Sequence, residues 1–151
     1  MKKIIALLFC FILVLSIAGC SGTEKTFFGD WTIDSKLQDA PIGDINEEDL
    51  STILGSTLSF TTEKASCFGD SLDTLGQTVS NPEYTTIDIE KSEFESMIGE
   101  SFEKIGKSGD NIRQISVVKD PDKNSGIVFY IVDDNTLLAN SVGTFFILKK
   151  K

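Results

Sequence analysis

The fold is decided by residues 112–149, IRQISVVKDPDKNSGIVFYIVDDNTLLANSVGTFFILK. Four apolar, β-branched or aromatic runs lie in it, at 112–119, 127–132, 136–141 and 144–149. Their separators are rich in turn formers: 120–126, then Asp133-Asp134-Asn135, then Val142-Gly143. Short runs bounded this way read as strands, and links this short leave room only for antiparallel neighbours. The stretch is therefore a meander of four strands.

Upstream, residues 84–89 form a β-branched strand, and Asn81-Pro82 punctuates the chain before it. Ser92-Glu93-Phe94-Glu95 reads as a capping box, with Phe94, Met97 and Ile98 as a helix stripe ending at Gly99. Phe102 and Ile105 anchor a further turn. Residues 69–81 combine Gly, Ser, Thr and Asp with weak periodicity, which predicts a long loop. Residues 58–60 and 65–68 pair as a hairpin around Glu63-Lys64. Before it lies a helix signature: Asn46 as N-cap with Ile45 stapled to Leu50, acids Glu47, Glu48 and Asp49 in the first turn, and a Gly55 stop. Residues 27–34 alternate, with Phe27, Trp31 and Ile33 on one face and Asp30, Thr32 and Asp34 on the other.

The expected domain, residues 27–151, is mainly β: an antiparallel up-and-down barrel or curled meander of about eight strands with two short helices. An even number of such strands sets the start of the first beside the end of the last. Phe27 then neighbours Lys149.

The chain begins Met1-Lys2-Lys3, followed by an apolar run over 4–17 and then Ala18-Gly19-Cys20. The run is shorter than the ~20 residues a bilayer span needs, and the pattern is that of a signal peptide over 1–19. Ile17-Ala18-Gly19-Cys20 resembles the lipobox of bacterial lipoproteins. That resemblance implies lipidation of Cys20 by a diacylglyceryl group, a new N-terminus there, and localisation to the cell membrane, lipid-anchored on its extracytoplasmic face. Residues 20–26 become the lipidated Cys and its tether, reaching at most ~20 Å. Lys149, Lys150 and Lys151 are then expected to face the bilayer.

Phe28-Gly29-Asp30-Trp31 resembles the G-x-W motif on the first strand of lipocalin-like, calycin-type barrels. The wider pattern is similar to lipocalin-like lipoproteins of low-GC Gram-positive bacteria. It comprises Leu54-Gly55, Asn81-Pro82-Glu83-Tyr84, Asp134 with the Thr136-Leu137 pair after it, and Gly143-x-Phe145-Phe146. The resemblance implies that Trp31 closes one end of a barrel, with a basic residue late in the chain packed over it. It also implies a small apolar or amphipathic ligand in the mouth, for which Trp31, Phe60, Tyr84 and Tyr130 are the candidate ligand-binding residues. The alternative is a protein-interaction or inhibitor-type envelope module that uses surface loops and helices, the 69–81 loop among them.

Composition narrows the chemistry. The formal charge is −9, and without the first nineteen residues the other 132 hold 12 basic and 23 acidic side chains, a balance of −11. Such a surface repels a phosphate backbone, so nucleic acid is not an expected partner. With no histidine in the chain, His-dependent triads, zinc sites and pH switches are excluded. Cys67 is the one thiol left once Cys10 departs and Cys20 is lipidated, and it reads as a small buried hydrophobe. Asp120-Pro121-Asp122-Lys123-Asn124-Ser125-Gly126 resembles the opening of a calcium loop but lacks a carboxylate at the twelfth position, and a plain β-turn explains it equally well. The carboxylate pairs Glu93/Glu95 and Asp133/Asp134 sit at caps or turns and read as solvated. The expectation is a non-enzymatic module with no cofactor, no metal and no catalytic residue.

Overall fold

The structure, a computed structural model, describes residues 26–39, 47–68, 75–120, 125–141 and 143–151. The leader, Cys20, the tether through residue 25, Ile45, Asn46, and residues 69–74 and 121–124 lie outside the described residues. Among the described residues nine strands and two helices follow one another: β1 (Gly29–Asp39), α1 (Glu47–Ile53), β2 (Thr57–Phe60), β3 (Lys64–Phe68), β4 (Leu75–Ser80), β5 (Glu83–Glu90), α2 (Lys91–Ile98), β6 (Asn111–Asp120), β7 (Ser125–Asp133), β8 (Thr136–Ser141) and β9 (Thr144–Lys150). They make one sheet in the order β4-β3-β2-β1-β9-β8-β7-β6-β5, antiparallel at every ladder.

Strand direction alternates across that order, so β4 and β5, the two outermost of nine, point the same way. Only Asn81 and Pro82 separate them. They act as one long strand broken at a kink, whose first half pairs with β3 and whose second half pairs with β6. Asn81 takes the left-handed conformation there (φ 50°), which Asn tolerates better than most residues. Counting β4 and β5 as one restores the even number expected from sequence. It also explains why the first and last strands are antiparallel neighbours, with Trp31 opposite Lys150 and Thr32 opposite Lys149. The predicted loop over 69–81 is corrected in its second part: residues 75–80 are β4. Ladder hydrogen bonds to β3 supply the order that the weak side-chain pattern did not advertise.

The sheet curls into a half-barrel. In a flat sheet β2 and β7, four strand steps apart, would lie about 19 Å from each other. Instead Phe60 and Phe129, one from each, stack at 4.6 Å. Phe68 of β3 stacks on Phe146 of β9 at 5.5 Å. The inner core draws buried side chains from every strand but β5, including Trp31, Ile33, Leu58, Phe60, Leu137 and Leu148, takes in Ile53 of α1, and has the half-buried Tyr84 of β5 packed against it. A second core lies on the outer face, where Phe94 and Ile98 of α2 and Phe102 and Ile105 of the next turn cover Ile112, Tyr130, Leu138 and Phe145. Strands β7 to β9 are thus buried on both sides. Their near-continuous apolar runs follow from this, since a sheet covered on both faces loses the usual in–out alternation.

The capping box is also corrected. The helix begins at Lys91, with Glu90 as an extended N-cap that makes no side-chain cap bond. The Lys91 amide donates to the Asp110 carbonyl at 2.8 Å, which anchors the helix start. Glu95 turns forward instead of back: its Oε1 accepts the Phe102 amide at 2.7 Å and ties the following turn to the helix.

Candidate functional site

The end of the barrel where β1 begins is closed by its own chain. Phe27 is buried and lies edge-on to Phe129 of the inner core, centroids 5.4 Å apart. Trp31 is fully buried, and its Nε1 donates to the Phe27 carbonyl at 2.9 Å. Lys150 lies across this pair, with Nζ 5.3 Å from the Trp31 ring centroid and 3.0 Å from the Thr26 carbonyl oxygen, to which it donates. Gly29, at φ +127°, makes the turn from Phe28 into the strand, a conformation that side-chain-bearing residues rarely adopt. The Lys151 amide donates to the Asp30 carbonyl at 3.0 Å and holds the last residue to the first strand.

The basic residue over the tryptophan is therefore Lys150. Lys149, Lys150 and Lys151, expected to face a bilayer, are all exposed at this end of the sheet. Lys150 is folded back onto Trp31, and Lys149 Nζ donates to Thr136 Oγ1 at 2.9 Å.

Two clefts flank this closed end. One, of about 330 Å³, opens where the β4–β5 kink passes the β2–β3 turn. The rings of Phe27, Phe28 and Tyr84 line it, with Pro82, Glu83 and two threonines, Thr62 and Thr86. The three rings touch: Phe27–Phe28 at 4.8 Å and 80°, Phe27–Tyr84 at 5.1 Å and 59°, Phe28–Tyr84 at 5.4 Å and 55°. Tyr84 Oη donates to the Thr61 carbonyl at 2.7 Å and the Asn81 amide to the Glu63 carbonyl at 2.7 Å. These two bonds hold the kinked strand against the hairpin.

The second cleft, about 300 Å³, is polar, with Asp88, Lys107, Arg113 and Asp134 at its wall. Arg113 Nε and Nη2 donate to the two Asp88 oxygens at 2.8 and 3.2 Å. The guanidinium hydrogen bond holds the Asp88 carboxyl below its ordinary range and raises Arg113 in turn. Both groups meet water, so the pair contributes little to stability.

The four residues read as ligand-binding do not converge. Trp31 and Phe60 are wholly buried in the inner core. Tyr130 is in the outer core, on the opposite face of the sheet, where burial raises its pKa and its hydroxyl lies 4.0 Å from Met97 Sδ. Tyr84 alone lines a cleft, and its partners there, Phe27 and Phe28, were missed. Their signal was present in the sequence, as two consecutive aromatics before a glycine, only one of which a strand can bury on a given face. Cys20 lies outside the described residues, and no cluster of three or more His, Cys, Asp or Glu side chains suited to a metal occurs among the described residues. Comparison with protein-family models, with curated proteins and with solved structures found no match.

Proposed function

We propose that this chain is a lipoprotein anchored through Cys20 to the extracytoplasmic face of the cell membrane. Its lipocalin-like domain is a non-enzymatic binding module for a small apolar or amphipathic ligand. The ligand sits in the Phe27–Phe28–Tyr84 cleft and not in a lumen. The observation that carries this reading is where the apolar side chains stand. The inner face is filled by rings stacked on one another, whereas the cleft at its end keeps three rings at its wall and a volume at the lower end of ligand pockets.

The test is native mass spectrometry of the protein purified from its own envelope in a sugar-headgroup detergent. A co-purifying small molecule that is lost from Tyr84→Ala supports the cleft, and one retained by that variant refutes it. The anchor has its own test. Cys20→Ala should leave the membrane fraction, and retention there at wild-type levels would show that Cys20 is not the attachment point.

A second reading has its own observation. Ile87 on β5 and Met97 on α2 are 55% and 51% exposed, on neighbouring elements of the outer face. That pair favours a protein partner, which the same spectra would reveal as a bound polypeptide.

A further inference from the structure

We infer that the aromatic cleft selects an organic cation, an alkylammonium or quaternary ammonium group, over a neutral or anionic amphiphile. The inference rests on the cleft being the binding site and adds the chemistry of what fills it. The three rings all line the cleft and are inclined to one another by 55° to 80°, so their faces do not stack flat on one another. A ring face carries negative potential and attracts a cation lying over it, the more so when the cation is poorly hydrated.

Among the described residues at the wall, Glu83, an exposed carboxylate, is the one that is charged, and neither Lys nor Arg is among them. An anionic headgroup would meet this carboxylate at the wall. The phenol that could donate a hydrogen bond to such a headgroup already donates to the Thr61 carbonyl. The remaining wall, Pro82, Thr62 and Thr86, is neutral. Around the site stands a domain whose charge balance is −11 beyond the first nineteen residues, a field that draws cations and repels carboxylates. Ring faces, one carboxylate and an apolar floor are the elements by which proteins hold substituted ammonium groups.

The experiment compares three probes of similar size on the full chain in a sugar-headgroup detergent: choline, its uncharged carbon isostere dimethylbutanol, and hexanoate. Binding is read from the ring-proton shifts of Phe27, Phe28 and Tyr84, with the Trp31 indole signal as the control for an intact fold. Choline should bind about tenfold more tightly than the isostere. Hexanoate should bind weakest. Glu83→Gln should weaken choline severalfold and leave the isostere unchanged; because Glu83 is exposed, this variant tests charge without disturbing the core.

A parallel arm with a short-chain phosphatidylcholine separates a lipid headgroup, if it binds more tightly than choline, from a free ammonium compound, if it binds less tightly. Either result upholds the cation class. Equal or tighter binding of the isostere or hexanoate overturns the cation selectivity while leaving the cleft in place. If no probe moves any of the three rings, the cleft reading falls with it.

Discussion

The two halves of the sheet are built differently. From β5 to β9 the strands are long, the β5–β6 ladder runs unbroken over eight residue pairs, and α2 with its following turn seals the outer face. From β2 to β4 the strands are short, and the β2–β3 ladder has one registered pair, Phe60 with Ala65. That smaller half has its own β3–β4 ladder of five pairs, and it is tied to the rest by rings reaching across the barrel and by bonds from the kinked strand. The lesson is that one sheet can pair two regimes: a slab with long ladders and two-sided burial, and a flap with shorter ladders that leans more on side chains. The aromatic cleft opens at the edge of the flap, where small movements cost least.

The sharpest way to break this comparison is to remove one ring from each regime. Phe129→Ala empties the centre of the inner core and should lower unfolding free energy by about 4 kcal/mol in urea titration. Phe68→Ala, at the rim of the flap, should cost about 3 kcal/mol. An equal or larger loss at Phe68 would show that the flap is no weaker than the slab. Next in size is the joint between the halves. Lys150→Met removes a cation from the Trp31 face and a donor from the Thr26 carbonyl, and should cost about 1–2 kcal/mol with a red shift of Trp31 emission.

Smaller again is Tyr84→Phe, which deletes one hydrogen bond across the kink. It should cost about 1 kcal/mol and speed hydrogen exchange at Asn81 and along β3 and β4, while β6 to β8 keep their protection. Speeding that spread evenly over the sheet would refute the division. The smallest effect lies on the exposed side of the slab. The Lys91 ammonium, 2.8 Å from Glu103, is the first cause of a Glu103 pKa lowered from 4.5 to about 2, helped by backbone and Ser101 hydrogen bonds. A depressed carboxyl contributes fully above pH 4.5 and loses its contribution as pH falls through its folded value. Carboxyl NMR should therefore find its midpoint near 2, moving back toward 4.5 in Lys91→Met, with little change in overall stability because both groups meet solvent.

Much of the slab was legible in the sequence. Runs such as Thr144-Phe145-Phe146-Ile147-Leu148 and links such as Asp133-Asp134-Asn135 fix strands and turns by themselves, since burial and turn chemistry there are local. The flap was less so. β4 carries Gly76, Gln77 and Thr78, and only its pairing with β3 makes it a strand. The capping box failed for a related reason. Glu95 had two amides within reach, and a tertiary contact with Phe102 won over the local one. The site was read in part: Tyr84 was named, but Phe27 was assigned to a strand face and Phe28 passed over. The cleft depends on the 27–28 segment meeting a strand far along the chain, a convergence that no local pattern encodes.

The place of β9 in the sheet sets the timetable of folding. The last strand in sequence is the middle one of nine, hydrogen-bonded to β1 on one side and to β8 on the other. Without β9 the two halves share only the kinked β4–β5 strand, and the inner core lacks Phe146 and Leu148. Such long-range closure makes folding slow and late.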